Sequence, residues 1–181
     1  MKKNILIISI LIALISWGVY DFVNTTDEIV TVNAENLKEG LEKGNIAPDF
    51  ELNTLDGSSF KLSDFRGKKI ILNFWASWCP PCQAEMPHMQ DFYEDKKNED
   101  IVIIAVNLTK MERNEQSIRA FANNLGITFP IPLDVDGEIG NKYHAFTIPT
   151  SYVIDTNGLI QNKIIGPMSY EMMDNYTKKI N

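Results

Sequence analysis

The stretch that decides the fold is Lys69–Pro87, KIILNFWASWCPPCQAEMP. Ile70 to Trp75 is an apolar run of strand length, rich in β-branched and aromatic residues, and reads as a buried strand. Trp78-Cys79-Pro80-Pro81-Cys82 follows, and Gln83-Ala84-Glu85-Met86 opens a helix. Prolines are tolerated at a helix start, where the backbone amides have no intrahelical partners. Two cysteines spaced i, i+3 close a small ring when the second lies in the first turn. Cys79, at or just before that turn, meets free N–H groups and the positive end of the helix dipole, which favour an anion. A thiol pKa lowered in this way makes a nucleophile. The pattern predicts a dithiol that cycles. Cys79 is the attacking thiol and Cys82, one turn deeper, the resolving one.

Other uses of the cysteine pair fit less well. A zinc site needs four ligands, and beyond Cys79 and Cys82 only His88 and His144 are good soft partners, with nothing to bring both near. No metal and no cofactor is expected. A structural disulfide across so short a loop would constrain the unfolded chain little. The strand, Trp-Cys-x-x-Cys, helix order is the arrangement of a redox motif.

These residues carry a resemblance to a known family. Phe74-Trp75-Ala76-Ser77-Trp78-Cys79-Pro80-Pro81-Cys82, then Glu85-Met86-Pro87, Ile148-Pro149-Thr150 and Ile165-Gly166-Pro167-Met168 resemble the thioredoxin superfamily from about Ala47 to the C-terminus. Within it they resemble the membrane-anchored TlpA/ResA-like thiol–disulfide oxidoreductases, and among those the sporulation-associated StoA type. The resemblance implies an α/β thioredoxin-like fold with an extra N-terminal β-hairpin. It also implies a cis peptide bond before Pro149, with Pro149 against the dithiol and the backbone of Ile148 pairing with a bound peptide. Trp78, Pro80 and Pro81 would border that peptide.

Cys82 must lose a proton to attack, so a base near it is expected. Thioredoxins themselves carry a buried aspartate six residues before the first cysteine, where this chain has Asn73, which does not titrate. The TlpA/ResA branch instead has a glutamate three residues after the second cysteine, here Glu85. An i, i+3 spacing places Glu85 beside Cys82 on the helix. On the residues alone, Glu85 is either a buried proton-handling acid or a solvated acid favouring the helix start; the resemblance favours the first. His88 and His144 read as ordinary histidines, His88 partly buried, and Met168, Met172 and Met173 as packing residues.

The chain has 181 residues, two cysteines and a formal net charge of −7. That length supports one domain with a sizeable core, and the acidic balance argues against a nucleic-acid partner. Lys2 and Lys3 precede an apolar run from Ile5 that continues, with Trp17, Tyr20 and Phe22 at its far end, to Val23. As a helix it would be about 28 Å long, close to a hydrocarbon core of ~30 Å. No A-x-A-like cleavage site follows it. Residues 1–23 are expected to be a transmembrane signal anchor with the positive end inside, residues 24–46 a tether, and residues 47–181 the thioredoxin-like domain. A short helix is conceivable within Asn33–Gly44.

Further along, Phe50–Leu55 and Ser58–Leu62 flank Asp56-Gly57 and predict a hairpin. A helix is expected from Pro81 to about Lys97, a buried strand over Ile101–Leu108 and a helix over Glu112–Leu125. A short proline-broken strand over Phe129–Leu133 and a helix or turn over Glu138–His144 follow. Strands at Thr150–Ile154 and Leu159–Ile165 and a helix capped by Ser169 complete the pattern. Together they give a mixed central sheet flanked by helices.

The expected function is reduction of disulfides in client proteins outside the cytoplasm, by a monomer. The resemblance implies electrons from a CcdA-type membrane thiol transporter and a client needed for spore cortex synthesis. The rival within the class is reduction of apocytochrome c, whose dedicated enzymes more often carry Glu-Pro between the cysteines, where this chain has Pro-Pro. A thiol peroxidase would need a proline- and threonine-framed cysteine that is absent. A copper-delivery protein would prefer C-x-x-x-C.

Overall fold

The computed structural model describes residues 13–20 and 38–180. Residues 13–20 are helical and exposed. The expected membrane-spanning helix lies for the most part outside the described residues. Among those described, no helix is long and apolar enough to cross a membrane. From Glu39 onward the chain forms one compact unit.

Its centre is β3, Lys69–Trp75. Successive side chains of a strand point to opposite faces. Ile70, Leu72 and Phe74 enter a core with Tyr143, Tyr152, Phe50 and Phe60. Ile71 and Trp75 enter a second core with Met86, Met89 and Phe92. Burial on both faces is why the strand reads as a continuous apolar run rather than an alternation. β3 pairs in parallel with β4, Ile101–Asn107. On its other side it pairs antiparallel with β5, Thr150–Ile154, which pairs antiparallel with β6, Ile160–Ile165. The order β4-β3-β5-β6 is the expected mixed sheet. The parallel pair needs a crossover, and α1, Pro80–Lys96, supplies it.

The N-terminal hairpin is present as β1, Glu51–Asn53, and β2, Ser59–Lys61. Gly57 at its turn has φ +90°, a conformation that favours glycine. The proline-broken strand expected over Phe129–Leu133 is reduced to two isolated bridges, Pro132 with Thr54 and Leu133 with Asn107. Pro130 and Pro132 have no N–H, so no ladder propagates. Their carbonyls instead accept from Ala105 N and Asn107 N, while Leu55 N donates to Ile131 O and Leu133 N to Asn53 O. The segment is a strap that ties the hairpin to the edge of β4. The helix conceived within 33–44 is likewise not seen in its described part, where residues 38–44 are turns and a bridge. Gly44 has φ +87°, and its N–H donates to Ile160 O.

α2 is Glu115–Leu125. It begins three residues later than expected because Asn114 is the cap, its side chain accepting from Ser117 N, and it ends at Gly126 with φ 62°. α3 is Glu138–Lys142. α4, Tyr170–Lys178, starts at Ser169, whose hydroxyl accepts from Met172 N. Replacing Ser169 with Ala removes that bond, and urea unfolding is expected to show a loss of about 1 kcal/mol.

Candidate active site

The turn from β3 into α1 places the cysteines. Cys79 is the extended N-cap residue of α1, followed by Pro80 and Pro81, and Cys82 lies in the first turn. The two are joined as a disulfide with Cα atoms 5.3 Å apart. Cys79 is slightly exposed at 3% and Cys82 not at all. Cys79 Sγ lies 3.7 Å from Ile148 O, and the Ile148–Pro149 bond is cis. Trp78 is half exposed, its indole N–H donating to Met111 O at 3.0 Å. Pro80 and Pro81 are exposed beside it. Trp75 packs inward, donating to Ala105 O and lying against Phe121.

Glu85 is buried at 1% exposure, on the turn of α1 that follows Cys82. Asn73 Nδ2 donates to its Oε1 at 2.6 Å and Met168 N to its Oε2 at 2.7 Å. Burial pushes the Glu85 carboxyl up from an ordinary 4.5 to about 7, against the opposing pull of the Met168 and Asn73 N–H donors. Neither donor is charged, so desolvation prevails. Asn73 faces Ser151 in register across β3 and β5 and donates to its hydroxyl at 2.9 Å. With both N–H bonds thus engaged, Asn73 Oδ1 has no partner.

His88, expected to be partly buried, is exposed on α1. His144 is exposed as well, with φ 49° and its ring stacked on Phe146.

One residue escaped the sequence. Glu112, read above as the start of a helix, lies outside it and holds the loop that precedes Cys79. Its carboxylate accepts from Ser77 N, from Ser77 Oγ at 2.6 Å and from Asn107 Nδ2 at 2.9 Å. Gln83 Nε2 donates to Ser77 O from the other side. The only local signal was an acid shortly after a buried strand, the end of an α/β sheet where sites form.

The chain matches the AhpC/TSA family over residues 43–163. The chain belongs to that family. It is 42% identical over 135 residues to the thioredoxin-like protein YneN of Bacillus subtilis, spanning 75% of this chain and 78% of that one. It is 38% identical over 143 residues to the thiol–disulfide oxidoreductase ResA of Geobacillus kaustophilus, spanning 79% and 80%. The crystal structure of StoA from Bacillus subtilis aligns with a TM-score of 0.65 at 38% identity, over 72% of this chain and 96% of that one. With the Cys79–Cys82 disulfide at the head of α1, the chain is a thioredoxin-like thiol–disulfide oxidoreductase.

Two outcomes follow from this geometry. A carboxyl whose folded value lies above its unfolded one stabilises the fold through its proton below about pH 4.5, and loses that contribution as pH rises through about 7. Urea unfolding of the oxidised protein should therefore show the parent losing about 3 kcal/mol relative to Glu85→Gln between pH 4 and pH 8. Glu112→Ala strips Ser77 and Asn107 of their acceptor, and is expected to cost about 2 kcal/mol in the same measurement.

Proposed function

We propose that this chain is a membrane-tethered reductase of protein disulfides outside the cytoplasm, with Cys79 as nucleophile, Cys82 as resolving thiol and Glu85 as proton acceptor. The observation that carries the proposal is the Cys79–Cys82 disulfide at the start of α1 with Cys79 Sγ beside Ile148 O.

In the reduced form the Cys79 thiolate attacks one sulfur of a client disulfide, and the other client sulfur leaves as a thiolate. A mixed disulfide between Cys79 and the client results. Cys82 passes its proton to Glu85, whose carboxyl, held near 7, is suited to exchanging it at neutral pH. The Cys82 thiolate attacks Cys79 Sγ, the client leaves reduced, and the protein is left as the disulfide. Two electrons and two protons from a membrane thiol transporter of the CcdA type restore the dithiol. Ile148 and Pro149 form the floor on which the client backbone lies, and Trp78, Pro80 and Pro81 form its rim. Residues 1–23 serve as the anchor and the stretch from residue 24 to the start of the compact unit at Glu39 as the tether. The likeness to the sporulation thiol–disulfide oxidoreductase A of Bacillus subtilis supports a client used in sporulation.

Trapping tests this assignment. Full-length Cys82→Ser expressed in cells is expected to accumulate mixed disulfides in the membrane fraction that dithiothreitol removes. Cys79→Ser/Cys82→Ser should form none. Equal adduct levels in the two variants, or no adducts in either, would overturn it.

A further inference from the structure

The Asn73 amide is used unevenly. Nδ2 donates twice, to Glu85 Oε1 at 2.6 Å and to Ser151 Oγ at 2.9 Å. Among the described residues, Asn73 Oδ1 is the one buried side-chain oxygen without a hydrogen bond. An acceptor buried without a donor carries an uncompensated desolvation cost. Both bonds hold the nitrogen side, so the oxygen cannot turn to either partner without breaking them. Asn73, Ser151 and Cys82 are all fully buried.

What lies beside that oxygen follows from the strand. Alternate residues of β3 share a face. Asn73 therefore stands between Ile71 and Trp75, which pack in one core with Cys82, Met86 and Met89 of α1. Glu85, which Asn73 reaches, lies one helical turn past Cys82. The amide thus lies against the turn of α1 that carries the resolving thiol. In the disulfide neither sulfur has a proton to donate. Reduction adds two electrons and two protons, breaks the S–S bond and leaves one S–H on each cysteine. Cys79 has Ile148 O at 3.7 Å as its acceptor. Cys82 gains its S–H in the interior, where the acceptor has to come from the protein.

We infer that Asn73 Oδ1 accepts the Cys82 S–H bond in the reduced protein, so that Asn73 is a positioning residue that holds the resolving thiol and the Glu85 carboxylate on one amide. The inference rests on the disulfide-exchange function proposed above and extends it to the resolving step. It accounts for the unpaired oxygen, because the site is complete in the dithiol and one bond short in the disulfide. Ser151 keeps the amide in place from β5 while Glu85 takes up and releases its proton. Apart from Glu85 and the cysteines of α1, the groups that meet this amide do not titrate. β5 brings Ser151, and the link before α4 brings only the Met168 N–H to Glu85. A bond present only in the dithiol favours the reduced form. Asn73 therefore weakens the protein as a reductant while it orders the proton transfer.

The test reads the thiol directly. An S–H stretching band falls in a window free of other protein bands and moves to lower wavenumber when the proton is hydrogen-bonded. The chain has two cysteines, so full-length Cys79→Ser in detergent carries Cys82 as its single thiol. Asn73→Leu and Asn73→Val, each added to Cys79→Ser, are expected to move the Raman S–H band to higher wavenumber. Glu85→Leu added to Cys79→Ser is expected to leave it in place. A band unmoved by both Asn73 substitutions, or moved as far by Glu85→Leu, would overturn the inference. With both cysteines present, two glutathione thiols reduce the disulfide and leave as glutathione disulfide. Asn73→Leu is expected to lower the equilibrium constant of that exchange about threefold, the loss of one weak hydrogen bond from the dithiol. An unchanged or raised constant would equally overturn it. The band reports the hydrogen bond whether or not the protein reduces clients. A parent disulfide that never equilibrates with glutathione would instead strike the exchange function itself, so the two failures are distinguishable.

Discussion

Burial of β3 on both faces is the constraint on which the rest depends. A strand flanked by two cores has no wet side, so every polar side chain on it must be met from within the protein. Asn73 is the one polar side chain in its buried run, on the face that α1 covers. Register supplies one partner, because Asn73 stands opposite Ser151. The helix supplies the other, because Glu85 points back at the strand. Neutral donors satisfy the Glu85 carboxyl without compensating its charge. That is the physical origin of its raised pKa, and the reason a buried acid here differs from one held by an arginine or lysine.

The same sheet gathers the remaining parts of the site. β3 and β4 run in parallel and end together, Trp75 opposite Asn107. β5 runs the other way, so its first residue, Thr150, meets Phe74, and Ile165 at the end of β6 meets Thr150. The Cys79 turn, the Met111–Glu112 loop, the Ile148–Pro149 bond and the Gly166–Met168 link thus emerge at one end of the sheet. Glu112 ties the first of these to the second through Ser77. Met168 ties the last to α1 through Glu85. Hydrogen bonds from two of these loops, at Glu112 and at Met168, hold the segments on either side of the disulfide, whose own short ring would constrain little by itself.

Local physics decided what could be read along the chain. The Cys79–Cys82 spacing, the continuous apolar run of β3, the Asp56-Gly57 hairpin and the Ser169 cap all rest on neighbours within a few residues. Each of them is seen in the fold. The Phe129–Leu133 segment shows where that ends. Its prolines pointed to an edge or irregular position, whereas its role as a strap between hairpin and β4 depends on hydrogen-bond partners far away in sequence. Glu112 is the same case, since no local pattern relates it to Ser77, 35 residues earlier.

By itself, the sequence determined a redox dithiol at a helix start, a thioredoxin-like order of strands and helices, and a glutamate one turn from the resolving cysteine. Helix geometry alone requires that proximity. Only the tertiary structure decided whether Glu85 is wet or dry, because burial depends on what β3, β5 and the Met168 link place over it. It also decided that Glu112 serves the active-site loop, and that Asn73 meets Ser151 and Glu85. Those outcomes belong to contacts between distant segments, and such contacts exist only once the sheet has set its register.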